Sequence, residues 1–334
     1  MDRIRWGVIG ASGFAQRRTI PEGIVPSSNG ELVAVSARDE ARIRALGARF
    51  GVPWFTDAAA MLDAVPMDAV YIASPPAAHL VHTSICAEHG QHVFCEKPLA
   101  HTVADAEAMV AVCRRSGVRL GTAFMLPYHS LAQEAVTIVR RGDLGTVVSA
   151  RVQFSFDYPP VQGAFRQIAA EGGGGAFMDV GNHAADLMER IVGSRATAAL
   201  ALAGDLAHAY DGVEDICAAL LRLDSGAIGT VEASFCNPAA VNRVEVNGST
   251  ATLIVDGMMG QGSGGTLRVL GADETIVESD GRNMYLGEVT AFADAVLRGG
   301  EPPISGLDGL HSQRLVAAVY KSARTGTKAE IPPD

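Results

Sequence analysis

The sequence predicts an α/β chain in two parts. A doubly wound Rossmann domain spans residues 1–124, and an α+β domain built on an open, mostly antiparallel sheet spans residues 125–334. Three observations carry this reading. Short apolar runs alternate with helix-compatible segments as far as Ala123, the pattern of a parallel sheet covered on both faces. A glycine-rich turn, Gly10-Ala11-Ser12-Gly13-Phe14-Ala15, follows the first run. From Thr146 onward strands succeed one another without interleaved helices, which favours antiparallel pairing.

Composition narrows the class. A chain of 334 residues is long enough for two domains with real cores. Its 37 acidic and 27 basic residues give a net charge of −10, and the basic clusters are no longer than pairs, so a nucleic-acid surface is not expected. Cys86, Cys95, Cys113, Cys217 and Cys236 are widely spaced with no C-x-x-C pair, which suits reduced thiols and a cytoplasmic protein. No run approaches 18 apolar residues, so no membrane span is expected, and the chain enters its first strand without the apolar core of a signal peptide.

The first strand, Arg3–Ile9, leads into the turn where a dinucleotide-binding unit carries G-x-G-x-x-G/A, here with Ser12 at the middle glycine. Bare backbone at that point lets a phosphate reach helix N–H groups, so Gly10, Ser12, Gly13, Phe14 and Ala15 are candidate cofactor residues. The second strand, Leu32–Val35, ends in Ser36-Ala37-Arg38. An acid there would bind a ribose 2′-hydroxyl. Arg38 and Arg42, one helical turn apart, instead favour a 2′-phosphate and hence NADP(H), with NAD(H) as the alternative. Asp39 is the competing ribose ligand, reached by a small shift in register. Ser36, Ala37, Arg38 and Arg42 join the cofactor set.

The alternation then runs through Trp54-Phe55, a helix over 57–64, a strand at Ala69–Ala73, a helix over 78–89, a strand at Gln91–Cys95, a helix over 102–116 and a strand at Arg119–Ala123. After the fourth strand, Ser74-Pro75-Pro76 makes a rigid loop at the edge that carries the glycine-rich turn, so Ser74, Pro75 and His79 are read as cofactor contacts. His79, His82, His89 and His92 lack a carboxylate or thiol to complete a metal set, and no metal is expected.

Phe94-Cys95-Glu96-Lys97-Pro98-Leu99 reads as the tip of a buried strand turning into a loop, the edge where ligands bind in open α/β sheets. A lysine there presents a proton to a substrate oxygen. The proline locks φ and directs it, with a cis bond as one form. The competing reading is a surface Glu-Lys pair of little energetic weight.

In the second half, a helix over 131–141 and the turn Gly142–Gly145 precede strands at Thr146–Phe156, Ile216–Leu223, Ala227–Ala233, Arg243–Val246, Ala251–Val255, Thr266–Val269 and Thr275–Val277. Helices over 286–297 and 307–323 are read as packing back on the first domain. Gly172-Gly173-Gly174-Gly175 opens a helix whose apolar residues run from Phe177 to Ile191. The spacing of Asp179 and His183 puts them on one face of it, where the carboxylate can orient the ring.

Together, the turn Gly10–Ala15, Glu96-Lys97-Pro98, and Gly173-Gly174-Gly175-Ala176 followed by Asp179-x-Gly181-x-His183 resemble the Gfo/Idh/MocA oxidoreductases. Tyr285…Glu288…Phe292 and Tyr320-Lys321-Ser322-Ala323-Arg324-Thr325-Gly326 extend the likeness nearly end to end. Tyr158-Pro159-Pro160, Phe165-Arg166, Asp211-Gly212-Val213-Glu214-Asp215 and Arg282-Asn283-Met284-Tyr285 carry a closer likeness to one branch of that family. The resemblance implies hydride transfer between a nicotinamide and a keto-sugar, anhydro-sugar or cyclic polyol. It implies that Lys97 and His183 bind the reacting oxygen with Asp179 nearby, that Glu96 lies at the cofactor edge, and that Arg166 and Tyr285 lie against the nicotinamide end. An NAD-dependent inositol, glucose or dihydrodiol dehydrogenase is the alternative enzyme, and a non-catalytic nucleotide-sensing binding protein the alternative of another class. An open sheet without covering helices predicts a homodimer or homotetramer.

Overall fold

A computed structural model of the chain describes residues 3–333. They divide into two compact units: the described residues up to Met125 together with Asn283–Leu310, and Leu126–Arg282 together with the described residues from His311 onward.

In the first unit, β1 (Ile4–Ile9), β2 (Gly30–Ser36), β3 (Trp54–Phe55), β4 (Ala69–Ile72), β5 (His92–Glu96) and β6 (Leu120–Ala123) form an all-parallel sheet ordered β3-β2-β1-β4-β5-β6. Alternate residues of each strand enter opposite clusters, as the pleat requires. Val70, Ile72, Val93 and Cys95 pack with Met109 and Leu120 on one side. Trp6, Val8, Tyr71 and Phe94 pack with Val289 and Phe292 on the other. Both faces are therefore apolar, and the stretches Trp6–Ile9, Ala69–Ile72 and Val93–Cys95 are buried without a break. Three of the helices that cover the sheet start on side-chain caps: Asp39 caps Glu40–Phe50, Asp57 caps Ala58–Ala64 and Thr102 caps Val103–Ser116.

The helix expected after the glycine-rich turn is shorter than its sequence suggests. Gly13–Arg17 makes a five-residue helix, and the chain then widens into a turn over Thr19–Ile24 with five-residue hydrogen-bond spacing. The Met284–Leu297 helix packs against that turn. At Gly23 a β-carbon would lie 2.9 Å from the Tyr285 carbonyl, so the close approach requires glycine.

In the second unit, β7 (Val147–Ser155), β8 (Ala196–Gly204), β9 (Ile216–Leu223), β10 (Ile228–Ser234), β11 (Arg243–Gly248), β12 (Thr252–Asp256), β13 (Thr266–Leu270), β14 (Glu274–Glu278) and β15 (Ala329–Glu330) pair in the order β14-β13-β12-β11-β7-β10-β9-β8-β15. Every neighbouring pair is antiparallel except β7–β10. Sequence reading passes over β8, because Ala196–Gly204 is mostly alanine and glycine and has weak strand propensity. Its pairing with β9 through Leu200↔Leu220 and Leu202↔Ala218 supplies what propensity does not.

The helix Asn182–Val192 covers one face of this sheet against β7 and β10. The other face is open, and Leu200, Leu202, Leu220 and Ile228 stand there 45%, 78%, 50% and 55% exposed. All five cysteines are free thiols, and among the described residues no helix is long and apolar enough to cross a membrane.

Candidate functional site

In the first unit the C-terminal ends of β1, β2, β4 and β5 share one edge, and the order β2-β1-β4 reverses the direction of winding between β1 and β4. Such a switch point opens a crevice at the strand ends. Gly10 turns the chain there at φ +74°, and a β-carbon on it would lie 2.5 Å from the Ser74 amide nitrogen. Glycine is therefore required by both the left-handed backbone and the contact. Ser12 is extended at φ −135° and precedes the short helix, so a serine fits where the motif usually has glycine. Gly13 has φ +54°, and nothing lies within 4 Å of the point a β-carbon would occupy; this leaves bare backbone on the outer side of the turn, the feature a pyrophosphate needs. Phe14 lies edge-on to Tyr285, ring centroids 5.7 Å apart, and Ala15 is buried.

At the end of β2, Ser36 is buried and its carbonyl accepts from Ala11 N at 3.0 Å, which ties the second strand end to the first turn. Ala37 is half-buried and Arg38 exposed. Asp39 is committed locally: its Oδ1 caps the Glu40–Phe50 helix at Arg42 N, 3.0 Å away, and its Oδ2 lies 3.2 Å from Arg42 Nε. The Arg42 guanidinium is thus joined to Asp39, while Arg38 extends from the strand end.

The loop after β4 is braced from below. Ser74 Oγ contacts His82 Nδ1 at 2.9 Å, and Pro75 precedes the turn that starts the His79–Glu88 helix. His79 is 1% exposed, with Nε2 2.7 Å from the Ser74 carbonyl and Nδ1 3.1 Å from the Leu99 carbonyl. Burial pushes its pKa down to about 4, against the pull of those carbonyls. The ring therefore carries one proton at neutral pH for the two carbonyls that face it. His79 acts on the edge through the two loops it joins.

Glu96 and Lys97 close β5, both half-buried, and the Lys97–Pro98 peptide bond is cis. The Glu96 side chain turns toward the sheet: Tyr71 Oη donates to Oε1, Lys97 N donates to Oε2 at 3.1 Å, and Tyr71 Oη lies 3.0 Å from Thr19 Oγ1. Burial and the Glu96 carboxylate together hold the Tyr71 phenol well above its ordinary pKa. Tyr285 is 1% exposed, its phenol raised mainly by burial.

In the second unit, Asp179 and His183 lie where the chain passes from a wide turn over Phe177–Gly181 into the Asn182–Val192 helix. The single regular helix expected here is thus two pieces. The Phe177 ring occupies the space that a β-carbon on Gly181 would need, 2.6 Å away, and Asn182 N bonds to the Phe177 carbonyl five residues back. Arg166 Nε donates to Asp179 Oδ1 at 2.8 Å, and the Arg166 guanidinium rests 4.4 Å from the Phe165 ring centroid. His183 is 4% exposed, its ring 6.3 Å from that of Phe154.

The start of this segment is held by a residue without an assigned role at the sequence level. Glu214 accepts from Gly175 N at 2.9 Å, Phe177 N at 2.8 Å and Tyr320 Oη at 2.9 Å. Burial raises its pKa, opposed by those donors. A β-carbon on Gly175 would sit 1.8 Å from the Glu214 carbonyl, and one on Gly174 2.2 Å from Tyr320 Oη, which explains the glycine run. A cleft of about 550 Å³ elsewhere in this unit, lined by Gln133, Thr137, Arg140, Glu189, Arg190 and Arg195, contains none of the predicted site residues and lies at the far end of the Asn182–Val192 helix.

Two family models match the chain. Residues 4–124 match the family model described as oxidoreductase family, NAD-binding Rossmann fold, and residues 132–254 match the GFO/IDH/MocA C-terminal domain. The chain is 32% identical over 329 residues to 1,5-anhydro-D-fructose reductase of Ensifer adhaerens, covering 98% of each. It is 32% identical over 339 residues to D-xylose 1-dehydrogenase (NADP(+)) 2 of Haloferax volcanii, covering 98% of this chain and 99% of that one. Among solved structures, aldose-aldose oxidoreductase from Caulobacter crescentus superimposes with a TM-score of 0.90 at 26% identity, over 98% of this chain and 99% of that one.

Proposed function

Because the chain belongs to the Gfo/Idh/MocA family of oxidoreductases, we propose that it transfers a hydride between NADP(H) and a secondary alcohol or ketone of a keto-sugar, anhydro-sugar or cyclic polyol. The observation that carries the reading is Lys97 at the tip of β5, on the edge it shares with the ends of β1, β2 and β4, where Gly13 leaves backbone bare. Sugar-directed relatives support the substrate class.

When bound, the nicotinamide supplies or accepts the hydride. Negative charge develops on the reacting oxygen as the carbonyl is reduced, so that oxygen needs a donor. In this reading Lys97 Nζ donates a hydrogen bond to it, and the His183 imidazole delivers its proton in reduction or takes it in oxidation. Asp179, held by Arg166, is the orienting carboxylate. The Gly10 turn, Ser74 and Pro75 receive the dinucleotide, and Arg38 takes the 2′-phosphate, the role left to it by the pairing of Arg42 with Asp39. The open sheet face of the second unit supports a homodimer or a tetramer built from it.

The test is a spectrophotometric screen of NADPH oxidation and NADP reduction across keto-sugars, anhydro-sugars and inositols. On the best substrate, Lys97→Ala and His183→Ala should each lower kcat by about 10²–10⁴, the range general acid–base groups contribute. Turnover unchanged in both variants sinks the assignment of the catalytic pair. Arg38→Ala should weaken NADPH binding and leave NADH binding near wild type; a protein with no NADPH preference, or none lost in the variant, refutes the cofactor reading.

A further inference from the structure

Beyond β7, residues 158–167 leave the sheet and come back within hydrogen-bond reach of their own start. Pro159, Pro160, Val161, Gln162 and Gly163 are exposed, whereas Gln167 at the far end is 5% exposed. The two prolines have no N–H, so this stretch offers carbonyls that no neighbouring residue of its own can easily satisfy. An exposed loop with few buried contacts opens at little cost.

The Gln167 side chain supplies what the prolines lack. Its Nε2 donates to the Tyr158 carbonyl at 3.3 Å and to the Pro159 carbonyl at 2.9 Å, and its Oε1 accepts from Val161 N at 2.8 Å. A primary amide carries two donors on one atom and an acceptor on the other, the complement of two carbonyls and one N–H. Tyr210 Oη donates to the same Tyr158 carbonyl. The loop is thereby closed on itself by its own buried side chain.

Backbone bonds hold the far end. Gln167 N donates to the Ala164 carbonyl at 2.9 Å, and Asp211 N donates to the Gln167 carbonyl at 3.0 Å. Between the two anchorages lies the single turn Phe165–Gln167, and from it Arg166 Nε donates to Asp179 Oδ1 at 2.8 Å. The entry to that turn is tied to Val161, whose carbonyl accepts from Ala164 N at 3.1 Å and whose N–H is held by Gln167.

We infer that Gln167 is a positioning residue: its amide fastens residues 158–161 to the Phe165–Gln167 turn, so that the Arg166 guanidinium is aimed at Asp179 before a substrate arrives. The loop is then a fixed wall and not a hinged cover. The part played by Asp179 rests on the function proposed above; the closure of the loop does not.

Gln167→Met nearly keeps the volume of the side chain and removes its three hydrogen bonds. Hydrogen–deuterium exchange read by mass spectrometry should become about tenfold faster in the peptide covering residues 158–168, the scale of one net hydrogen bond, while peptides from β7, β9 and β10 exchange as in wild type and show that the variant is folded. Exchange of residues 158–168 at the wild-type rate overturns the closure, whatever the substrate proves to be. On the best sugar substrate, Gln167→Met should lower kcat by about tenfold to a hundredfold, the scale of a small misplacement in a site, with KM nearly unchanged. Made in an Arg166→Ala background, the same substitution should cost nothing further, because its effect passes through the guanidinium. An unchanged kcat in the single variant, or a loss that multiplies with that of Arg166→Ala, overturns the positioning role.

Discussion

At His79 two carbonyl oxygens face one buried imidazole, and desolvation decides which protonation state the fold accepts. The folded pKa of about 4 lies below the ordinary value of 6.5. As pH falls, the unfolded chain takes up this proton first. The stability tied to the neutral ring is therefore complete above about pH 6.5 and is lost progressively between 6.5 and 4, amounting to about 3 kcal/mol. Urea unfolding of wild type and His79→Asn at both ends of this window should show a steeper acid loss in wild type by roughly that amount. Parallel curves would mean that the ring is not held neutral. A histidine in a proline-rich loop could be suspected from the sequence, but not its partners: the Leu99 carbonyl is twenty residues away, and only the pairing of β4 with β5 brings the two loops together.

At the level of elements, the glycine run before Asp179 and the strand tip at Lys97 were legible because each depends on local backbone constraints. The chain must turn sharply at Gly10 and pass close to Glu214 at Gly175, and both requirements select residues without a side chain. The wide turn over Phe177–Gly181 was not legible, since its extra residue is accommodated by a ring packing on a glycine and not by any periodicity. The Tyr71–Glu96 contact was hidden for a related reason: a phenol within an apolar strand reads as core, and its partners, Glu96 and Thr19, come from two other elements.

The bracing of the Asp179 segment by Glu214 has a measurable consequence. Glu214→Ala would leave the Gly175 and Phe177 N–H groups and the Tyr320 hydroxyl without their acceptor. At about 1–3 kcal/mol for each buried group left unpaired, the expected loss is at least about 3 kcal/mol by denaturant titration. Glu214→Gln retains one acceptor oxygen and should lose distinctly less. A neutral alanine variant would show that the glycine segment holds its shape unaided.

For the whole molecule, β9 alternates buried and exposed residues without a break, and its outward Leu220 lies opposite Leu200 of β8 in a patch that includes Leu202 and Ile228. Contiguous apolar surface of this kind supports the proposed interface between copies of the chain. Light scattering at micromolar concentration should give a dimer or tetramer for wild type, and Leu202→Glu combined with Leu220→Arg should give a monomer with an unchanged circular dichroism spectrum. A monomeric wild type would remove the basis for the interface.

The first unit is also discontinuous in the chain: Val289 and Phe292 belong to the same apolar cluster as Trp6 and Phe94, and the Phe292 ring stacks on Phe94 with centroids 4.7 Å apart. During synthesis the six parallel strands therefore leave the ribosome well before the helix that covers one of their faces, and the 157 residues of Leu126–Arg282 must be added before it arrives. A nascent chain halted before Asn283 lacks Val289, Phe292 and Ala293 from the cluster that holds Trp6, Tyr71 and Phe94, and so leaves part of that apolar face exposed. The nucleotide-facing edge is drawn from the first third of the chain, yet its foundation is among the last parts to be translated.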